Sequence, residues 1–241
     1  MNKNEQISFA DSLRAIVSGI ALSIITPNQI GDFAGRIIHL KKFDKIKGSL
    51  VAVIGHTAQV ILCLAFGLFA FVFLFQSQNK ITEQTALVLT IFSAFISIAA
   101  VLGFLNIHLI SKVSKSKKII PYLDVFSLYT KLELWKIFVL SFFRYSIFTI
   151  QYFLLLQFFG VDISIVNNLV CVVATLCAQT FMPSLLLVEL GIRGATALYF
   201  FSFYTDNFAG VLLSSYSLWI INLMIPSFFG LFVIVKHKFK K

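Results

Sequence analysis

The run LVAVIGHTAQVILCLAFGLFAFVFLF, from Leu50 to Phe75, contains no Asp, Glu, Lys or Arg, and it decides the fold class of this chain. It is longer than the roughly 20 apolar residues that an α-helix needs to cross a hydrocarbon core of about 30 Å. Three further runs reach this length, at Thr85–Ile110, Ile137–Phe159 and Val211–Val235. The four runs predict four membrane-spanning helices.

The composition of the whole chain supports a membrane protein of the helical type. Of its 241 residues, 59% are hydrophobic and only 12% are charged, with a mean hydropathy of +0.91. A soluble domain has about 25% charged residues to cover its surface. A transmembrane barrel would show alternating segments of about 10 residues instead of long apolar runs. We therefore predict an all-α, polytopic fold that forms a single membrane domain over residues 1–241.

The positive charges are concentrated in a few polar segments. The net charge is +10, yet sixteen of the twenty Lys and Arg lie at the N-terminus, Lys41–Lys47, Lys112–Lys136 and Lys236–Lys241. This asymmetry follows the rule that cytoplasmic loops carry the excess of Lys and Arg. It predicts a bacterial inner (plasma) membrane protein with both termini cytoplasmic, and it argues against nucleic acid as the partner of the cations.

The remaining loops carry few positive charges and are predicted to lie on the other side. They are Gln76–Gln84, Gly160–Asp162 and Tyr204–Gly210. With the four spans, these assignments alternate consistently along the chain.

Two stretches are too interrupted to be simple spans. Residues 13–40 have short apolar arms on either side of Pro27-Asn28 and Gly31, with basic flanks, which favours a re-entrant hairpin entered from inside. Residues 163–203 begin and end in outside-type loops and favour a second hairpin, entered from outside. We expect its first arm to pass Met182-Pro183 and to continue to Val188.

The basic segment between the second and third spans, residues 112–136, is predicted to lie at the cytoplasmic surface. Within it, Pro121–Trp135 places Tyr122, Phe126 and Tyr129 on one helical face and Lys131 on the other. This spacing is typical of an amphipathic helix at an anionic leaflet. A plain cytoplasmic linker is the alternative.

An acid precedes an arginine by four positions in both hairpins. Asp32 precedes Arg36 and Glu189 precedes Arg193, each behind a proline and close to glycines. Side chains at this spacing face each other on a helix and can pair. Matching breaks in two opposed halves indicate an inverted repeat, in which broken helices line a binding site near the midplane. The alternative is two structural ion pairs that lie nearer the membrane interfaces.

Other polar residues within the apolar runs carry weaker signals. Arg144, in the third span, either extends its side chain to the inner surface or takes part in the cavity. Most of six further polar residues in the apolar runs are expected to hydrogen-bond between helices: Gln59, Gln151, Asn167, Asn168, Gln179 and Asn222. The three cysteines, Cys63, Cys171 and Cys177, are expected to be apolar packing residues.

The sequence contains no pattern that predicts catalysis or a cofactor. It has no G-x-S-x-G, H-E-x-x-H, P-loop or G-x-G-x-x-G motif, and its ten acids form no compact cluster. We therefore predict no catalytic residue, no metal site and no cofactor, and we expect that the chain is not an enzyme.

The segment Gly19–Arg36, with Thr26-Pro27-Asn28-Gln29-Ile30-Gly31-Asp32 at its centre, resembles the T-P-x-x-x-G-E/D signature of the lysylphosphatidylglycerol synthase transmembrane-region family. The later segment Pro183…Glu189-Leu190-Gly191-Ile192-Arg193-Gly194 is similar to that family's second signature. The resemblance implies opposed re-entrant helices and a flippase-like role. Some members are fused to an aminoacyl-transferase or a glycosyltransferase domain. Members usually have further spans before the T-P hairpin, so we expect this chain to be N-terminally truncated.

These observations lead to one hypothesis and two alternatives. The chain is expected to move an anionic phospholipid or a lipid-linked headgroup between leaflets, with the two acid–arginine pairs contacting the headgroup and re-forming after it passes. It could instead be the non-catalytic membrane partner of a separate lipid-modifying transferase, or a lipid-binding scaffold. The candidate lipid-binding residues are Thr26, Pro27, Gly31, Asp32, Arg36, Arg144, Pro183, Glu189, Gly191 and Arg193.

Overall fold

The computed structural model describes residues 8–26, 30–37, 45–108, 126, 128–182 and 186–238, and the regular secondary structure in these ranges is entirely helical. The helices are α1 (Phe9–Ile25), α2 (Gly31–Ile37), α3 (Lys45–Ser77), α4 (Glu83–Leu105), α5 (Lys131–Phe158), α6 (Ile165–Phe181), α7 (Leu186–Phe201), α8 (Phe208–Trp219), a π-helical turn (Ile220–Met224) and α9 (Ile225–Lys238). The predicted all-α fold is confirmed.

Four helical segments are long and apolar enough to cross a membrane. They are Ala52–Ser77, Glu83–Leu105, Lys131–Phe158 and Phe208–Lys236. Each overlaps most of one of the four predicted spans, so the prediction of a polytopic helical membrane protein is confirmed. Much of the surface of these helices is apolar. On α4 the side chains of Leu87, Phe92 and Phe95 are exposed, as lipid-facing side chains would be.

The third span begins earlier than predicted. Thr130 caps α5: its hydroxyl accepts the Glu133 N–H at 3.3 Å, and the Glu133 carboxylate accepts the Thr130 N–H at 2.8 Å. This reciprocal capping box fixes the start of the helix at Lys131. Residues 131–136, which we assigned to the interfacial segment, therefore belong to α5. Most of that segment, including residues 112–125, lies outside the described residues.

The described residues form two compact units. The first takes its residues from 1–53, 183–188 and 219–241, and the second consists of 54–182 and 189–218. In the first unit α1 packs against both α2 and α9. Gly230 of α9 permits one of these contacts, because a Cβ there would collide with the Val17 carbonyl oxygen of α1.

The second unit has a continuous apolar core contributed by α3, α5, α6, α7 and α8. Its fully buried large side chains include Leu74, Tyr152, Leu156, Val172, Phe201 and Val211. All three cysteines are free and buried in this unit. Cys63 of α3 and Cys177 of α6 pack together with Tyr145 of α5, which agrees with their expected role as packing residues.

Three connections meet at one end of the second unit. The Asn207 side chain accepts the Gly210 N–H at 3.0 Å and donates to the carbonyls of Phe159 and Gly160 at 3.2 and 2.9 Å. Asn207 thus caps the start of α8 and the end of α5 together. The Ser77 and Tyr204 hydroxyls are 2.7 Å apart. We predicted that three loops lie on the same side of the membrane: Gln76–Gln84, Gly160–Asp162 and Tyr204–Gly210. These contacts bring the three loops together.

The last span contains a π-helical turn just before a proline. Pro226 has no N–H to donate to the carbonyl four residues earlier. The preceding residue, Ile225, instead donates its N–H to the Ile220 carbonyl, five residues back, which is the π-helical pattern. The wider turn lets the helix continue through Pro226 to Lys238.

Candidate functional site

The first hairpin is held together at its turn by Thr26. The Thr26 hydroxyl donates to the Leu22 carbonyl at 3.1 Å and accepts the Gly31 N–H at 2.6 Å. It therefore links a free carbonyl at the end of α1 to a free N–H at the start of α2, both of which would otherwise lack helical partners. This contact explains why a threonine precedes the turn in the T-P-x-x-x-G-D segment.

Close approach of α1 and α2 requires glycine at three positions. A Cβ at Gly31 would collide with the Leu22 carbonyl oxygen, and one at Gly35 would collide with the Ser18 carbonyl and the Gly19 backbone. A Cβ at Gly19 would collide with the Asp32 carboxylate. The two helices therefore pack backbone to backbone, and Gly19 leaves the space in which the Asp32 side chain lies.

Asp32 and Arg36 form the ion pair that their spacing predicted. The Arg36 Nε lies 3.0 Å from both carboxylate oxygens of Asp32, and Nη2 lies 2.8 Å from Oδ2. The side chains are 24% and 31% exposed, so the pair remains partly open to its surroundings. Asp32 lies in the first turn of α2 and Arg36 in the last, an order that also suits the helix dipole.

Glu189 and Arg193 form an equivalent pair in the second unit, and this pair is more buried. Arg193 Nη2 lies 2.6 Å and Nε 3.0 Å from Glu189 Oε1, with the two side chains 10% and 17% exposed for Glu189 and Arg193. Both residues lie in the first half of α7. Our prediction that the first arm continues to Val188 is wrong, because α6 ends at Phe181 and α7 begins at Leu186.

The second pair is extended by polar side chains from two other helices. Arg193 donates through Nη1 to the side-chain Oε1 of Gln179 on α6 at 3.1 Å, and Nε2 of Gln179 donates to the Thr196 hydroxyl at 3.2 Å. Ser215 of α8 donates to the Arg193 backbone carbonyl at 3.4 Å. The second pair is thus part of a polar network contributed by α6, α7 and α8, and its arginine already has two side-chain acceptors.

A buried tyrosine, Tyr152, lies beside the polar network around Arg193. The Tyr152 hydroxyl of α5 lies close to Ser215 and to the charge of Arg193, and it has no hydrogen-bond partner of normal geometry among the described residues. The side chain is fully buried. A buried hydroxyl without a partner is costly.

The other predicted residues have different surroundings. Gly191 is exposed, and a Cβ there would meet nothing within 4 Å, so packing does not require glycine. The Arg144 side chain is exposed on α5, with its guanidinium 5.6 Å from the Phe148 ring centre. Pro27 and Pro183 lie outside the described residues. The structure brings the predicted residues together in two groups. One contains Thr26, Gly31, Asp32 and Arg36, and the other contains Glu189 and Arg193.

Sequence reasoning missed part of the second cluster. Gln179 hydrogen-bonds between helices as expected, but we did not place it beside Arg193. The expectation is not met by the side-chain oxygens of Gln59 and Asn168, which are buried and have no partner among the described residues. Thr196 was missed although it follows Arg193 by three positions, a spacing that brings side chains onto one helical face. Ser215 and Tyr152 reach the cluster from other helices. They are far from Arg193 along the chain, so no sequence spacing could predict that they lie near it.

The described residues offer no metal site, since no group of three or more His, Cys, Asp or Glu side chains in these ranges could hold an ion. Within each hairpin, the acid instead forms an ion pair with the arginine four positions later on the same helix. Such pairs can exchange partners with an anionic or a zwitterionic group, because each supplies one donor and one acceptor set.

The fold and these pairs define a multi-pass helical membrane protein with two helical hairpins that each hold an ion pair in apolar sequence. The model of the lysylphosphatidylglycerol synthase TM region matches residues 1–224. The chain therefore belongs to this family, as its T-P-x-x-x-G-D segment predicted, and it has a role connected with membrane lipids. No curated protein and no solved structure matches the chain.

Proposed function

We propose that this protein moves a phospholipid or a lipid-linked headgroup between membrane leaflets. The observation that carries the proposal is the presence of one acid–arginine pair in each hairpin, Asp32–Arg36 and Glu189–Arg193, each behind a break between two short helices. The arms α6 and α7 have 17 and 16 residues, which gives about 26 and 24 Å of helix, less than a hydrocarbon core of about 30 Å. This length supports a re-entrant hairpin.

The energetic cost of charges inside a membrane favours a functional role for the two ion pairs, beyond a structural one. A charge at the bilayer centre costs about 2.5–3.5 kcal/mol on insertion scales, and such residues usually mark a substrate pathway. A phosphate group competes well with a carboxylate for arginine, because both accept two parallel N–H bonds. In the proposed mechanism the phosphate displaces the acid from Arg36 or Arg193, and the pair re-forms once the headgroup has passed.

Several parts of this proposal come from the sequence. The basic segments favour a plasma membrane location with both termini cytoplasmic. The protein itself is proposed to carry out no covalent chemistry and to need no cofactor, and its partners would be anionic phospholipids or lipid-linked headgroups. Each break is proposed to contact the headgroup, as broken helices do in transporters.

The direct test is leaflet exchange of fluorescent anionic and aminoacylated lipids in liposomes that contain the protein. We expect exchange by the wild type and loss of exchange in the double variant Asp32→Asn, Glu189→Gln. The matched control is Asp11→Asn, which removes the acid of an exposed ion pair with Arg14 at the start of α1. It removes one acidic charge, as each of the two substitutions does, but at an exposed ion pair far along α1 from the turn of the hairpin, and exchange should continue.

A pair reversal separates a structural from a transporting role. The variant Asp32→Arg, Arg36→Asp keeps an i,i+4 pair and reverses its favourable order along the helix, worth a few tenths of a kcal/mol. It also places a longer side chain in the space beside Gly19, so thermal unfolding is used first to show that the variant is folded. If the pair only stabilises the hairpin, this variant will exchange lipid like the wild type, and the proposal fails for the first hairpin. Alanine at both Arg36 and Arg193 should abolish exchange, and wild-type exchange by that variant would refute the mechanism.

The family description favours a second candidate, because it refers to the membrane region of a synthase. In this case the chain would present lipid to a separate lipid-modifying transferase without moving it across the bilayer. Folded protein that binds lipid without exchanging it, and that co-purifies with a transferase, would support this candidate over the first.

A further inference from the structure

The side chain of Lys80, in the turn after α3, lies against three aromatic rings. Its Nζ is 4.5 Å from the ring centre of Phe203, 5.8 Å from that of Phe75 and 5.9 Å from that of Tyr199. All three distances fall within the roughly 6 Å over which an aromatic face attracts a cation. Among the described residues, no acid is within ion-pair distance of Lys80. In the described part of the chain, the Lys80 ammonium thus interacts with the faces of the three rings.

The three rings are positioned by contacts that do not involve the Lys80 side chain. Tyr199 makes edge-on contacts with Phe200 and Phe203, with ring centres 5.1 and 5.4 Å apart. Phe75 lies in the last turn of α3, and its carbonyl accepts the Lys80 N–H at 2.9 Å. The Ser77–Tyr204 hydrogen bond of 2.7 Å joins this turn to the end of α7. Phe75, Tyr199 and Phe203, which we call the aromatic cage, are thus positioned by backbone and ring contacts.

We propose that the aromatic cage is a binding site for an organic ammonium group and that Lys80 occupies it when no ligand is present. A quaternary ammonium suits such a site better than lysine does, because the lysine ammonium is compact and strongly hydrated, whereas a quaternary group has no N–H to leave unpaired. Lys80 is exposed and can move aside into water. This site lies at the end of α3 and α7 and is separate from the proposed pathway for headgroups.

The ligand can come from two sources with the same chemistry, a free cation or the headgroup of a choline lipid. The test begins with free choline and the full chain in maltoside micelles, which contain no ammonium group. Binding is measured by saturation-transfer NMR and calorimetry for the wild type, Lys80→Gln, Lys80→Arg and Lys80→Gln with Phe203→Leu. The neutral isostere 3,3-dimethylbutan-1-ol is the ligand control.

We expect Lys80→Gln to bind choline at least threefold more tightly than the wild type, since the competing ammonium is gone, and Lys80→Arg to resemble the wild type. Loss of one ring is worth about twofold to fivefold at an exposed site, so adding Phe203→Leu should cancel the gain. The neutral isostere should bind neither to the wild type nor to any of the three variants. Tyr199→Leu provides a second ring deletion should Phe203→Leu fail to fold.

Equal choline binding by Lys80→Gln with and without Phe203, or equal binding of the neutral isostere, would overturn the proposal. A second arm identifies the source. Lys80→Gln is placed in nanodiscs of phosphatidylglycerol or of phosphatidylcholine, and free choline is titrated into each. Loss of choline binding only in phosphatidylcholine assigns the cage to a lipid headgroup, and equal binding in both assigns it to a free cation.

Discussion

At the scale of single residues, Thr26 and Asn207 have comparable roles, because each joins a helix end to a helix start. Thr26 does so within one hairpin through one hydroxyl. Asn207 does so between α5 and α8 through both ends of its amide. Helix termini leave four unsatisfied groups each, and such groups are especially costly where water is scarce. A single side chain that satisfies both termini should therefore have a large effect when it is replaced.

Replacement of Thr26 by valine should destabilise the protein by about 1–2 kcal/mol, because the Gly31 N–H and the Leu22 carbonyl both lose a partner while the shape is kept. Thr26→Ser retains the hydroxyl and should stay close to the wild type. Thermal unfolding in detergent, followed by circular dichroism, measures the difference. Equal melting temperatures for the two variants would contradict the role assigned to the hydroxyl.

The two halves of the Asn207 contact can be separated. Asn207→Asp keeps the acceptor for the Gly210 N–H and loses both donors to Phe159 and Gly160, whereas Asn207→Ala loses all three bonds. Alanine at such a cap costs about 0.5–2 kcal/mol, so we expect the order of stability to be wild type, Asp, then Ala. Denaturant unfolding measures it, and an aspartate variant no more stable than alanine would show that the α8 cap does not outweigh the repulsion between the new carboxylate and the two carbonyl oxygens.

At the scale of helices, small residues decide where backbones approach. Gly67 of α3 faces Cys177 of α6, and a Cβ at Gly67 would collide with the sulfur atom. Close approach of this kind is the usual basis of helix association in a bilayer, where lipid removes the hydrophobic driving force. The contact between α3 and α6 should therefore depend on Gly67.

Gly67→Ala is expected to cost about 1–3 kcal/mol through overpacking. Gly55→Ala is the matched control on the same helix, since a Cβ there meets nothing within 4 Å. It should be neutral or stabilising, because alanine favours helix over glycine by about 1 kcal/mol. Thermal unfolding compares them. Adding Cys177→Gly to Gly67→Ala should restore part of the loss, and failure of this rescue would place the strain elsewhere.

At the scale of the whole molecule, the arrangement of loops can be tested by labelling. The contacts of Asn207 and Tyr204 bring three connections together in the second unit. In a variant without the three native cysteines, Gln76→Cys and Asp206→Cys should therefore react alike with an impermeant maleimide added to intact cells. Lys131→Cys, at the start of α5, should react only after permeabilisation. The same pattern for all three would refute the predicted orientation.

The sequence predicted the spans well, because an apolar run long enough for the bilayer admits few other interpretations. It placed the start of α5 too late, at Ile137, because hydropathy reports the hydrocarbon region and not the end of the helix. The capping box at Thr130 and Glu133 was a local signal that could have corrected this start.

The ion pairs were predictable for a related reason, since i,i+4 spacing is a local property of a helix. The partners of Arg193 on other helices were not, because Gln179 and Ser215 reach it only through tertiary packing. The same applies to the cage around Lys80, whose rings come from α3 and from the end of α7.

The two ion pairs also have a consequence for electrical behaviour. A membrane potential of 100 mV does about 2.3 kcal/mol of work on each elementary charge that crosses it. Asp32–Arg36 and Glu189–Arg193 are each neutral as pairs, so a shift of either hairpin moves almost no net charge. In the proposed translocase, the voltage dependence of exchange would therefore report the charge of the lipid alone: steep for an anionic headgroup and flat for a zwitterionic one.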